Sequence, residues 1–183
     1  EGAPKVTDSL FRETVLKGDD NHDEKAEKRK EYLAILVALE AQSEHPLAKA
    51  VVEYGKLFSL NLPEVEHFSA LIGSGLEGVI HQGNEERRYY VGSPRLMEEK
   101  RIDIGPFKAE IPKLEGEGKT VILLSDEQEA KLLVAMADPI KTTSKSAIST
   151  LKAAGISLYM MTGDNRRTAE KIGQEAGLLA EEI

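Results

Sequence analysis

The chain contains no cysteine and no tryptophan, and aromatic residues fill only 5% of its 183 positions. Without thiols there is no disulfide framework, no thiolate metal site and no thiol nucleophile, which fits a reducing compartment. Any transition metal would need carboxylates and the histidines His22, His45, His67 and His81, whose spacing has no i, i+4 pair, so no metal site is expected. Long apolar runs are also missing. The longest, LAILVAL at 33–39 and LLVAMA at 132–137, fall far short of the roughly 20 residues that cross a bilayer. Basic residues are outnumbered, 24 Lys and Arg against 32 Asp and Glu, and a net charge of −8 argues against a nucleic-acid surface. The opening EGAPKVTDSLF has neither the basic start nor the apolar stretch of a secretory signal and reads as a chain entered partway through.

What remains is ordinary for a folded protein, 40% hydrophobic and 31% charged, with length for one large domain or a medium domain plus part of another. The charge-dense stretch GDDNHDEKAEKRKE, 18–31, mixes both signs and reads as a solvated loop leading into a helix. Apolar positions at three- and four-residue spacing, among them Tyr32, Leu33, Leu36 and Leu39, predict a helix over 24–42. Pro46 suits the first turn of a second helix with Leu47, Ala50, Val51 and Tyr54 on its inner face. From about 65 the period changes. VEHFSALI, LEGVIHQ and RRYYVG read as strands of an antiparallel sheet, with QGNEE as a hairpin turn. SPRLMEEK and GPFKAEIPKLEGEG read as short helices, and KTVILLS and AKLLVAMAD as two more strands. After Asp138 comes a different alternation: helix TSKSAISTLKAAG, strand ISLYMM, loop TGDN and helix RRTAEKIGQEAGL, the βαβ-type order of a parallel sheet. The fold class is therefore α+β, an antiparallel sheet with helices from about 8 to 137, followed by an incomplete α/β unit.

Three places could carry chemistry. In SEHPLA the residue before proline is pushed toward extended geometry, which aims the His45 ring off a helix entrance. Such a ring can be a cap or surface group, or a fixed donor and acceptor for a ligand. GSGLEG, 73–78, matches the dinucleotide pattern G-x-G-x-x-G, but a strand follows it where that fold needs a helix. Its glycines either make a tight bend or let backbone approach a flat ligand. MTGDN, 161–165, sits between a predicted strand and a helix, where Thr162 and Asp164 could face phosphate and Mg2+. A plain turn with a helix cap is the other reading.

Taken in order, EGAPKVT, SEHPLAKAV, GSGLEG, YYVGSPRLM, GKTVILL and MTGDNRRTAEKIG resemble the ATP-binding cytoplasmic loop of heavy-metal-transporting P-type ATPases. The likeness covers nearly the whole chain. It implies a linker at 1–7, a nucleotide-binding domain at 8–137 with a twisted antiparallel sheet, and part of a haloacid-dehalogenase-like phosphorylation domain at 138–183. By position it makes Glu40 and His45 the adenine-binding pair and Gly73 and Gly75 the family's Gly-x-Gly. Gly92 matches the glycine of a Gly-Asn pair, and Ser93, shorter and without an amide, stands where that Asn is usual. Thr162, Gly163 and Asp164 match the phosphate-side loop, and Asp138 the hinge between domains. The family's phosphorylated Asp precedes "EGxP", and a later Mg2+-holding segment follows, so the resemblance places both outside 1–183. It implies a soluble cytoplasmic piece of a membrane pump that binds ATP without turnover. Its partners are the remaining phosphorylation, actuator and transmembrane domains, with no nucleic acid. SEHPLA leans toward copper, with zinc, cadmium or lead as the alternative. A free-standing haloacid-dehalogenase-type phosphatase is the competing enzyme reading, and it needs a D-x-D or D-x-T nucleophile that Asp8, Asp126 and Asp138 do not supply. A ligand-free interaction module is the third.

Overall fold

The computed structural model describes residues 3–13, 22–138, 140, 142–162 and 166–183. Six strands form one antiparallel sheet in the order β1-β6-β5-β4-β3-β2. They are β1 Lys5–Phe11, β2 Val65–Leu71, β3 Gly75–Gln82, β4 Glu85–Gly92, β5 Thr120–Ser125 and β6 Ala130–Ala137. Side chains alternate across a strand, so the continuous apolar runs of β5 and β6 demand cover on both faces. Both faces are covered.

On one face lie α1 (His22–Glu40) and α2 (Pro46–Gly55). Leu33, Leu36, Leu39 and Val51 of these helices form one core with Ile122, Leu124, Leu132 and Val134. On the other face lie α3 (Pro94–Glu99), a 3-10 turn at Gly105–Phe107 and α4 (Glu110–Gly116), which bury Leu96, Met97, Phe107 and Leu114 against Val121, Leu123, Leu133 and Ala135. The strand alternation thus divides β5 between two cores, Ile122 and Leu124 one way, Val121 and Leu123 the other.

Three elements differ from the sequence expectation. β1 begins at Lys5, inside the stretch read as linker, and pairs with β6 through a bulge between Val6 and Asp8. The helix expected over 24–42 starts two residues earlier, at His22, so the described part of the charged stretch 18–31 is helix and not loop. Glu, Lys and Arg are good helix formers, Asp23 and Glu24 suit the helix start, and Glu24 and Lys28 have the favourable i, i+4 order. ISLYMM, read as a strand, forms no ladder, because no described strand lies beside it and a strand exists only through its partner's hydrogen bonds. Its Met160 N–H donates instead to the Glu182 carbonyl at 2.7 Å, and Ile156, Tyr159 and Met161 stay exposed.

The last helices are α5 (Thr142–Ala153) and α6 (Arg166–Ala176), with a 3-10 turn at Ala180–Glu182. α6 packs on α4 and buries Ala169 and Ala176. Lys152 Nζ joins α5 to the end of α6 by donating to the Gly177 carbonyl at 3.0 Å.

Candidate functional site

In an antiparallel sheet, neighbouring strands end and begin at the same rim. Here the end of β2, the start of β3, the end of β4 and the start of β5 share one, through the pairings Leu71 with Gly75, Gly75 with Gly92, and Gly92 with Leu123. Above that rim α1 ends and α2 begins. Between them opens a cleft of about 420 Å³, within the usual small-ligand range. Glu40, His45, Gly73, Gly75, Gly92 and Ser93 all line it.

Glu40 is the last residue of α1 and only 5% exposed. Among the described residues no side chain is recorded donating to its carboxyl, and burial alone pushes that group up from 4.5 to about 7. The negative end of the α1 dipole works in the same direction. A buried, unpaired acid is costly, and this one opens into the cleft.

His45 turns out to be both a cap and a cleft wall. Its backbone is extended (φ −64°, ψ 141°), as a residue before proline requires, and it is the N-cap of α2. Its Nδ1 accepts from the Leu47 N–H at 3.2 Å, and its own N–H donates to Ser43 Oγ at 3.2 Å. An accepting Nδ1 carries no proton, so Nε2 is the donor left for another partner.

The paired glycines serve the protein's own packing. A Cβ on Gly75 would sit 2.1 Å from the Val91 carbonyl oxygen, and one on Gly92 2.4 Å from that of Ser74 and 2.6 Å from Leu96 Cδ2. Both strands therefore approach more closely than side chains permit, which shapes the cleft floor. Gly73 sits above them in the β2–β3 turn at φ +71° with open space around it.

Ser93 is the N-cap of α3, its Oγ accepting from the Leu96 N–H at 3.3 Å. Ser and Asn cap equally well, so the exchange read from the sequence keeps the helix start. Ser93→Ala should lower stability by about 1 kcal/mol in thermal unfolding, while Ser93→Asn should leave it near wild type. Equal losses in both would contradict the capping role.

The sequence reading did not include Ser43, Ile72 and Thr120, which also line the cleft. Ile72 is 100% exposed at the lip. An apolar residue inside a Gly- and Ser-rich turn was its only sequence signal. Thr162 lies outside the described helices and strands, before α6, and is not among the described residues lining the cleft. Gly163 and Asp164 lie outside the described residues. A second hollow of about 450 Å³, lined by Pro4, Val6, Pro46, Ala50, Tyr54 and Leu57 among others, is slightly larger and more apolar. It lacks a buried polar group, so the smaller cleft is the better chemical candidate.

Residues 2–182 match the family model of haloacid dehalogenase-like hydrolases. The chain belongs to that family. The chain is 42% identical over 151 residues to the copper-exporting P-type ATPase of Bacillus subtilis, across 82% of this chain and 18% of that protein. It is 40% identical over 173 residues to copper-exporting P-type ATPase B of Archaeoglobus fulgidus, across 94% of this chain and 23% of that protein. The crystal structure of a zinc-transporting PIB-type ATPase in its E2.Pi state superposes with a TM-score of 0.63 at 30% identity, over 97% of this chain and 26% of that one. The resemblance to heavy-metal P-type ATPases that the motifs carry therefore holds. The chain spans only about a fifth of the curated relatives it matches, 18% and 23% of their lengths.

Proposed function

We propose that the cleft binds ATP by its adenosine end, as the nucleotide-binding part of a P-type ATPase that exports a heavy-metal cation. The observation that carries this reading is the convergence of Glu40, His45, Gly73, Gly75, Gly92 and Ser93 on one cleft, although they are spread over three separate stretches of the sequence. A carboxyl group and an imidazole can hydrogen-bond a purine edge, and Leu47, Leu71, Leu76 and Val91 offer apolar surface for its faces. Among the described residues no Lys or Arg lines the cleft, and the chain carries −8, so the triphosphate gains little there and affinity rests on the base and ribose. Residues 5–137, from the start of β1, would form the nucleotide-binding domain and 138–183 part of the phosphorylation domain, with Thr162, Gly163 and Asp164 toward phosphate. Mg2+ would accompany ATP. The described residues contain no group of three His, Asp or Glu suited to hold it, and binding through adenosine does not depend on that ion. Copper is the proposed cation, after the names of two relatives, with zinc as the alternative from the solved structure.

Titration calorimetry of this chain with ATP tests the reading. His45→Gln should weaken binding roughly three- to tenfold, the worth of one hydrogen bond. The variant should remain folded, losing no more than the roughly 1 kcal/mol of a helix cap. Undiminished ATP affinity in His45→Gln, or no binding by wild type, would contradict it.

A further inference from the structure

The Watson–Crick edge of adenine presents one acceptor, N1, beside one donor, the 6-amino group. A carboxylate only accepts, so it can take the amino proton but then sets its second oxygen against the N1 lone pair. A carboxylic acid is complementary to both, donating O–H to N1 while its carbonyl accepts from the amino group. Guanine is the reverse case, because its N1–H and 2-amino group are adjacent donors that suit a carboxylate. The protonation state of one carboxyl group can therefore decide which purine a cleft accepts.

Glu40 is in the position to do this. It is 5% exposed, at the C-terminal end of α1, and opens into the cleft. Among the described residues no basic side chain lines the cleft from α2, the β2–β3 turn, β4, α3 or β5, and the one other titratable group there is His45, whose Nδ1 accepts from the Leu47 amide. Lys119, next to the rim residue Thr120, is paired with Asp8 and Glu117. Among the described residues no side chain donates to the Glu40 carboxyl, and its burial disfavours the charged form.

We propose that Glu40 reads adenine as a neutral carboxylic acid, donating its proton to N1 and accepting from the 6-amino group. This rests on the nucleotide-binding reading of the cleft. The carboxyl sits at about 7, so the competent form is lost across neutral pH. Adenine-based ligands should bind best in mild acid, and discrimination against guanine should shrink as pH rises.

Adenosine is the probe, because it lacks the phosphate that titrates in the same range. Between pH 6 and pH 8 its affinity for this chain should fall about tenfold, the loss of one proton from a group near 7. Glu40→Gln carries a donor and an acceptor at every pH, so it should bind within about threefold of wild type at pH 6 and show a flat profile. 1-Deazaadenosine, with CH in place of N1, should bind wild type more weakly at pH 6 and without the pH dependence. A flat wild-type profile, together with Glu40→Gln binding more than about tenfold weaker at pH 6, would overturn the proposal and leave nucleotide binding standing. A pH dependence that persists in Glu40→Gln would place its origin outside Glu40 and also overturn the proposal. Absence of adenosine binding at any pH would remove the nucleotide reading itself.

Discussion

Replacing Gly75 with alanine should cost about 4 kcal/mol of stability, enough to consume much of the margin of an ordinary domain. The new Cβ would lie 2.1 Å from the Val91 carbonyl oxygen, 2.8 Å from Gly92 Cα and 2.9 Å from Leu96 Cδ2. Two of those three neighbours are backbone, which cannot swing aside as a side-chain end can. The residue also sits at φ +155°, where a Cβ is strained whatever the space. Relief would require parting β3 from β4 at the cleft rim. Gly73→Ala is the internal comparison: it has φ +71° but open surroundings, so only the backbone penalty of about 1 kcal/mol applies. Urea unfolding of the two variants separates the effects. Similar small losses in both would mean that close strand approach does not build the floor.

At pH 8, Glu40→Gln should stabilise the unliganded fold by up to about 3 kcal/mol, the cost of burial that pushes the carboxyl from 4.5 to about 7. The folded state holds the Glu40 proton more tightly than the unfolded chain does. The stability this proton contributes is complete below pH 4.5 and is lost as pH rises through about 7. Glutamine does not titrate, so the gap between variant and wild type should open across that window and nearly vanish at its acid end. Denaturant unfolding at pH 5 and pH 8 checks this; an equal gap at both would show that Glu40 is not a buried, unpaired acid. A residue that costs stability at neutral pH is one the fold tolerates for another reason, and the cleft supplies one.

Much of the architecture was legible because period and punctuation agree. β2 to β6 show alternating or continuous apolar strands between turn residues, and Pro46 and Pro94 mark helix starts. β1 was not legible, because its bulge between Val6 and Asp8 breaks the two-residue period at the fourth position. ISLYMM has the composition of a strand, but composition says nothing of whether a partner lies alongside. The cleft was legible through motif order alone: each of SEHPLA, GSGLEG and VGSP has a structural explanation by itself. The structure supplies those explanations too, since His45 and Ser93 are caps and Gly75 and Gly92 allow close strand contact. The burial of Glu40 could not be read. A Glu at a helix end is ordinarily solvated, and only the packing of α1 and α2 over the sheet rim withdraws this one from water.

The most direct test of the central claim is a titration of the isotope-labelled chain with ATP, followed by backbone amide shifts. Movement should concentrate at Glu40, His45, Gly73 to Gly75 and Gly92 to Ser93, the residues that share the cleft. Unmoved cleft amides at millimolar ATP, or shifts confined to the hollow around Val6, Ala50, Tyr54 and Leu57, would contradict it.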